Sequence, residues 1–150
     1  MTTDHLDRID RTILKILARD GRISMAALAE QAGLSKTPVQ ARVKRLESEG
    51  YIRGYVALVD AERMGHGHIA FVQVSLTDTR SHALDAFNRA VQNVSEIEQC
   101  HMIAGSFDYL LKVRTTDIAA YRTVLGEKIS SLPHVSKTST FVAMETVKER

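Results

Sequence analysis

Apolar residues in the first third of the chain recur at helical spacing and are separated by short glycine-containing breaks. Ser24 and Ser35 stand where the second and third helical patterns begin, and a serine there can accept a hydrogen bond from an unpaired backbone N–H. Gly33 and Gly50 follow those patterns, and glycine readily takes the left-handed conformation that ends many helices. The spacing predicts three helices, which cover about residues 4–20, 24–33 and 35–49.

The third predicted helix has two unlike faces. Val39, Val43 and Leu46 form an apolar stripe, whereas the opposite side carries amide, hydroxyl and cationic side chains. A helix of this kind, preceded by a short helix and a tight turn, fits the major groove of DNA. Within one stretch of ten residues the segment carries four cations and no acid, namely Lys36, Arg42, Lys44 and Arg45.

Single residues of this helix are candidates for contacts with DNA. Ser35, Thr37 and the first N–H groups of the helix can hold a phosphate, because helix N-termini carry unpaired donors and positive dipole charge. Gln40 is placed to read a base edge, whereas Arg42 lies nearer the buried side and is expected to reach phosphate. A plain three-helix bundle with a charged outer face would show the same spacing, so both interpretations stay open at this point. The candidate DNA-binding residues are Ser35, Lys36, Thr37, Gln40, Ala41, Arg42, Lys44 and Arg45.

After Gly50 the pattern changes to one typical of strands. Residues 51–60 are β-rich and predict a strand or wing, and residues 61–67, with two glycines, form the best boundary in the chain. Beyond it, strand and helix patterns follow in the order βαββαβ, which is the ferredoxin-like α+β arrangement. We therefore predict two domains, over residues 1–60 and 61–150. The predicted strands of the second domain cover residues 69–76, 98–104, 109–114 and 135–147.

Composition narrows the class of protein more than its function. Hydrophobic residues make up 44% and charged residues 25%, as in soluble globular proteins, and no apolar run approaches the roughly 20 residues of a membrane helix. A net charge of +2 is too mildly basic to argue for a polyanionic partner by itself. Cys100 has no second cysteine to pair with, which favours a reducing cytoplasm.

Several segments, in order along the chain, are similar to one protein family. The Lrp/AsnC, or feast/famine, family of transcription regulators has a DNA-binding half that resembles the run LDRIDRTILKILARDGRISMAALAEQAGLSKTPVQARVKRLESEGYIRGYVALVD. The likeness covers Leu6 to Lys148 and includes EQCHMIAGSFDYLLKV, AYRTVLGEKISSLPHV and STFVAMETVK. It implies a winged helix-turn-helix, a β linker and a βαββαβ domain. It also implies a cytoplasmic, nucleoid-associated regulator of amino-acid metabolism genes, with double-stranded DNA as partner and no catalytic activity or cofactor.

The resemblance further implies how such a chain assembles and what it senses. In this family the C-terminal domains pair through their sheets into dimers, dimers often form octamers, and amino-acid effectors lie in clefts between dimers. Asp108 could accept bonds from an α-ammonium group, and Gly105 lets backbone N–H groups approach a carboxylate. The family more often has Asp at the position of Ser106, which leaves the identity of the effector open. The implied effector residues are Met102, Gly105, Ser106, Phe107, Asp108, Tyr109, Phe141, Val142, Ala143 and Met144.

Other interpretations of these residues remain. Without the resemblance, Gly105 would simply make a turn and Phe107 and Tyr109 would pack. His66 and His68 form an H-x-H pair and Cys100 adjoins His101, which are weak candidates for metal ligands. Neighbours on a strand, such as Cys100 and His101, point to opposite faces, and no cluster completes four ligands, so we predict no metal site. Two further functional hypotheses are an architectural DNA-binding protein without an effector, and a metabolic enzyme, for which no catalytic spacing is found.

Overall fold

The computed structural model describes residues 6–149 and divides the chain into two units, Met1–Leu58 and Val59–Arg150. Helix α1 begins at Arg8 because the side chain of Asp7 accepts the backbone N–H of Asp10, and the side chain of Asp10 accepts that of Asp7. It is shorter than predicted, and residues 4 and 5 of the predicted helix lie outside the described residues. The three helices of the first unit are α1 (Arg8–Leu17), α2 (Met25–Ala32) and α3 (Lys36–Ser48).

The core of the first unit lies between these three helices. The predicted apolar stripe of α3 is confirmed, since Val39, Val43 and Leu46 are all buried. The predicted left-handed conformation of Gly33 is confirmed, with φ of 70°, and Gly50, where α3 was predicted to stop, also has a positive φ, of 79°. The buried cluster consists of Ile13, Leu17, Leu28, Ala29, Val39, Val43 and Leu46.

Of the strand or wing predicted over residues 51–60, the paired strand does not form. Within the described part of the chain, these residues have no paired strand, and Val56 and Leu58 are 86% and 84% exposed. A β-former becomes a strand only when a neighbouring strand takes its N–H and C=O groups, so β propensity alone was insufficient here. Residues 61–65, within the predicted boundary segment, form turns, and the His66 N–H donates to the Ala61 carbonyl.

The second unit has the predicted order βαββαβ. Its antiparallel strands are arranged β2-β3-β1-β4, so that β1 lies in the middle and pairs with both β3 and β4. This is the ferredoxin-like arrangement. The elements are β1 (His68–Leu76), α4 (Ser81–Val91), β2 (Ile97–Met102), β3 (Tyr109–Thr115), α5 (Ile118–Val124), a π-helical turn (Leu125–Ile129) that continues α5, and β4 (Val135–Val142).

The two faces of this sheet differ in their burial. Val72 and Val74 of β1 are fully buried in a core that includes residues of both helices, as the alternation in the sequence predicts. Phe71 of β1 is paired with Phe141 of β4. Both side chains lie on the other face of the sheet, where they are 37% and 54% exposed. One face of the sheet is therefore covered by helices, and the other keeps exposed aromatic groups.

Strand β4 is five residues shorter than the predicted run to residue 147. The Ala143 N–H donates to the Ile69 carbonyl at 2.9 Å, one residue after β4 ends at Val142. In the register of β1 and β4, residues 145–147 would lie beyond the start of β1 at His68, so no residue of β1 is there to pair with them. Among residues 6–149 no helix is long and apolar enough to span a membrane.

Candidate nucleic-acid interface and effector site

Helix α3 presents a polar, exposed face that begins at its first turn. Ser35 is the N-cap residue, but its hydroxyl makes no capping bond to the helix. Lys36 and Lys44 are exposed, and no ion pair found among residues 6–149 involves either of them. The other exposed candidates on this helix are Thr37, Gln40 and Ala41. The helix N-terminus and this face can therefore meet an anionic ligand.

The turn before α3 determines how that face is presented. The left-handed Gly33 ends α2, and the N–H of Leu34 donates to the Ala29 carbonyl at 3.0 Å. Leu28 of α2 and Val39 of α3 are both fully buried in the shared core. A short helix thus braces α3 through a tight turn, which is the geometry of a helix-turn-helix.

Arg42 and Arg45, two of the predicted DNA-binding cations, are held by acids of the first unit. Nη1 of Arg42 lies 2.6 Å from Oδ2 of Asp7 and 2.9 Å from Oδ1 of Asp10. Nη2 of Arg45 lies 2.6 Å from Oδ2 of Asp10, and its Nη1 lies 3.2 Å from Glu49. We call Asp7, Asp10, Arg42 and Arg45 the arginine clamp.

The clamp keeps both of its acids ionised. Burial by itself would raise the pKa of Asp10, but the hydrogen bonds from Arg45 and Arg42 outweigh it, and the pKa lies below its usual range. The pKa of Asp7 is lowered by the backbone N–H of Asp10 and by the Arg42 side chain. The side chain of Asp10 is only 1% exposed, so the arginines supply the charge that such a buried carboxylate requires.

Sequence reasoning missed these acids. They are more than thirty residues away from their partners along the chain, so no local spacing connects them. One signal was available: Asp10 falls on the apolar side of α1, beside Ile9 and Ile13. A carboxylate in that position needs a cation from elsewhere in the fold.

The predicted effector loop, residues 103–108, is bonded to the end of β1. The Ile103 N–H donates to the Asp108 carbonyl at 2.8 Å, and the Asp108 N–H donates to the Val74 carbonyl at 2.9 Å. Oδ2 of Asp108 accepts the backbone N–H of Leu76 at 2.7 Å. One oxygen of this carboxylate is therefore already hydrogen-bonded within the second unit. Met102, Gly105 and Ser106 are exposed, and Phe107 is half-buried.

Tyr109 belongs to the core of the second unit. Its side chain is 1% exposed, its hydroxyl donates to Oδ1 of Asn88 at 2.8 Å, and its ring centroid lies 4.3 Å from that of Phe87. In this structure Tyr109 offers a ligand no accessible surface.

The two halves of the predicted effector site lie at opposite ends of the sheet. Phe141 and Val142 pair with Phe71 and Ala70, near the start of β1. The loop 103–108 meets β1 at Val74 and Leu76, three to six residues further along the strand, which is roughly 10–20 Å at the rise of a strand. Ala143 is half-buried and Met144 fully exposed just beyond β4, at the first of these ends. One chain thus does not bring the predicted effector residues together.

A cavity of about 530 Å³ lies on the exposed face of the sheet, under residues 143–149. Of the predicted effector residues its lining contains only Ala143. Lys112 on its floor is paired with Glu98 and Glu149. The cavity is therefore a feature separate from the loop 103–108.

The residues considered as metal ligands lie apart in the fold. Cys100 is half-buried, and burial raises the pKa of its thiol, whereas the neighbouring His101 is exposed. Nδ1 of His66 lies 3.1 Å from the Met64 carbonyl oxygen, and Nδ1 of His68 lies 3.0 Å from Oγ1 of Thr115. Residues 6–149 contain no group of three or more His, Cys, Asp or Glu side chains placed to hold a metal ion.

Comparison with known families assigns both units. The family model described as winged helix-turn-helix DNA-binding matches residues 6–53, and the Lrp/AsnC ligand binding domain matches residues 69–150. The chain belongs to the Lrp/AsnC family, whose members are transcriptional regulators and not enzymes. It is a DNA-binding transcriptional regulator with an amino-acid-binding domain, as the resemblance of its sequence segments predicted.

Individual relatives are similar over nearly the whole chain. The proline dehydrogenase transcriptional activator of Rhizobium radiobacter is 60% identical over 98% of this chain and 94% of its own length. The leucine-responsive regulatory protein of Escherichia coli K12 is 47% identical over 96% of this chain and 88% of its own length.

Two similar solved structures contain an amino acid. A transcriptional regulator of Neisseria meningitidis in complex with L-methionine has a TM-score of 0.89 and 30% identity, over 96% of this chain and 93% of its own. The feast or famine regulatory protein of Mycobacterium tuberculosis, complexed with L-methionine, has a TM-score of 0.88 and 35% identity, over 96% and 95%. Two proteins with this fold, at 30% and 35% identity, thus bind L-methionine.

Proposed function

We propose that this chain controls a proline dehydrogenase gene, among other genes of amino-acid metabolism, in response to a free amino acid. The observation that carries the choice of target is the relative named as a proline dehydrogenase transcriptional activator, at 60% identity over 98% of this chain. A second activator of the same name, from Rhodobacter capsulatus, is 53% identical over 99% of it. Function in the cytoplasm, with no cofactor, is part of the proposal.

The DNA contacts in this proposal come from α3. The N-cap Ser35, with its hydroxyl free of a capping bond, and the first N–H groups of the helix hold a phosphate together with Lys36 and Thr37. Gln40 reads a base edge, beside the small Ala41, and Lys44 adds a contact to a base or phosphate. The exposure of these side chains supports the assignment.

The effector site in this proposal is formed by more than one copy of the chain. The loop 103–108 and residues Phe141–Met144 lie at opposite ends of one sheet, so a ligand that touches both must be shared by two chains. The exposed Phe71 and Phe141 give the open face of the sheet an apolar surface that suits self-association. We therefore expect dimers that assemble further into octamers, with the DNA-binding domain over 1–60 and the effector and assembly domain over 61–150.

Fluorescence anisotropy tests the function directly. The full chain is titrated at fixed salt onto a duplex from upstream of the proline dehydrogenase gene, a duplex from upstream of its own gene, and a scrambled duplex. Each amino acid, including proline, leucine and methionine, is then added in turn. We expect preference for a native duplex that one amino acid alters. Equal binding to all duplexes, unchanged by every amino acid, would favour an architectural DNA-binding protein instead.

A further inference from the structure

The arginine clamp holds two of the four cations of α3, the helix proposed to contact DNA, in ion pairs with carboxylates. Each oxygen of the buried Asp10 carboxylate accepts a hydrogen bond from one guanidinium group. Nη1 of Arg42 donates to Oδ1 at 2.9 Å, and Nη2 of Arg45 donates to Oδ2 at 2.6 Å. The remaining contacts of these arginines are also with carboxylates, Asp7 and Glu49. Of the four cations over residues 36–45, only Lys36 and Lys44 are outside an ion pair among the described residues.

We infer that Asp10 is a positioning residue for DNA binding, which holds Arg42 and Arg45 against α1 and keeps both guanidinium groups off the DNA phosphates. The inference rests on the proposed contact between α3 and DNA. The same bonds fix the rotation of α3 about its axis, because they join two successive turns of α3 to the first turn of α1.

The consequence is a lower affinity for DNA of any sequence. Sequence-independent binding grows with the number of phosphates that a protein neutralises, whereas base reading by Gln40 does not depend on that number. Keeping two arginines from phosphate therefore raises the share of the binding free energy that comes from base contacts. The clamp acts as a specificity device within the DNA-binding unit.

The salt dependence of binding to a random duplex measures the number of phosphate contacts. The full chain and the variant D7N/D10N are compared, because asparagine keeps an oxygen acceptor and serves equally well as N-cap. The control variant D20N/E30Q changes the net charge by the same amount in the same unit, at two exposed acids outside the clamp. Active protein is counted by stoichiometric titration at low salt, and melting temperatures are recorded for every variant.

The slope of log K against log salt concentration decides the inference. In each DNA-binding unit on the duplex, each released arginine that reaches a phosphate steepens the slope by about 0.9. For D7N/D10N, which releases one or both arginines, we therefore expect a change of about 0.9 to 1.8 in each unit. The D20N/E30Q slope should match that of the unchanged chain. Adding R42Q and R45Q to D7N/D10N should restore the original slope. A purely structural clamp would lower the melting temperature of D7N/D10N without changing its slope, and that result would overturn the inference.

A separate variant shows whether an unchanged D7N/D10N slope means that the clamp is purely structural or that α3 does not contact DNA as proposed. K44Q should make the slope shallower by about 0.9, because Lys44 lies on the exposed face outside the clamp. An unchanged K44Q slope would contradict the proposed role of Lys44 at the DNA. The D7N/D10N slope would still decide whether the clamp withholds the two arginines.

Discussion

The two units of this protein present their candidate functional surfaces in different ways. In the first unit the surface is one face of α3, and its residues are close together in the sequence and on one element. In the second unit the candidate residues are divided between the loop 103–108 and the end of β4, at opposite ends of the sheet. The first surface is complete in a single chain, and the second is not.

This difference follows from the geometry of helices and antiparallel sheets. A helix returns to the same face every three to four residues, so a short segment can form a whole contact surface. In an antiparallel sheet, a connection between two strands and the end of a third can lie at opposite edges, as they do here on either side of β1.

The largest expected effect is a loss of stability, and it should differ between the covered face of the sheet and the open one. Phe87→Ala should lower the free energy of unfolding of the second unit by about 3–5 kcal/mol, because the ring is fully buried and packs on Tyr109. Phe141→Ala, at a ring 54% exposed, is the matched control and should cost far less in the monomer. Urea unfolding followed by circular dichroism measures both. Equal losses would contradict the assignment of the core.

The next effect tests whether α3 reads bases. Gln40→Ala should cost about 1–3 kcal/mol of binding free energy at one base pair and relax the preference there. Anisotropy titrations on duplexes that vary one base pair at a time give this value. A loss of equal size on every duplex would mean that Gln40 only positions the helix.

A smaller effect separates two roles of Asp108. Asp108→Ala removes the acceptor of the Leu76 N–H and should destabilise the second unit by about 0.5–1.5 kcal/mol. Asp108→Asn keeps an oxygen acceptor and should retain stability. If the carboxylate binds an α-ammonium group, both variants should lose the response of DNA binding to the amino acid. A normal response in Asp108→Asn would remove that charge from the effector site.

The smallest effect concerns the acid stability of the first unit. The folded pKa of both Asp7 and Asp10 is lowered from 3.8, so their contribution to stability is present above that value and is lost as pH falls through the folded pKa. We expect the stability of the first unit to fall below about pH 4. Unfolding measured between pH 5 and pH 2 should show a weaker pH dependence in D7N/D10N. The same dependence in both proteins would contradict the role of the clamp.

Local patterns predicted most of the elements and the ends of two helices, but not the ends of the strands. The helix ends at Gly33 and Gly50 and the alternation of β1 follow from single residues and their neighbours, and the structure has them. The strand predicted over 51–60 and the extension of β4 to 147 did not form. Both errors concern strands, whose existence depends on a partner that the local sequence does not contain.

The sequence by itself determined the helix-turn-helix, the order βαββαβ and the family, because these depend on spacing along the chain and on motifs in a row. Tertiary structure decided which cations of α3 remain available, since Asp10 meets Arg42 and Arg45 only after α1 packs on α3. It also decided that Tyr109 is a core residue and that Asp108 holds the end of β1. These are contacts between residues far apart in the chain, and packing brings them together in a way that periodicity does not encode.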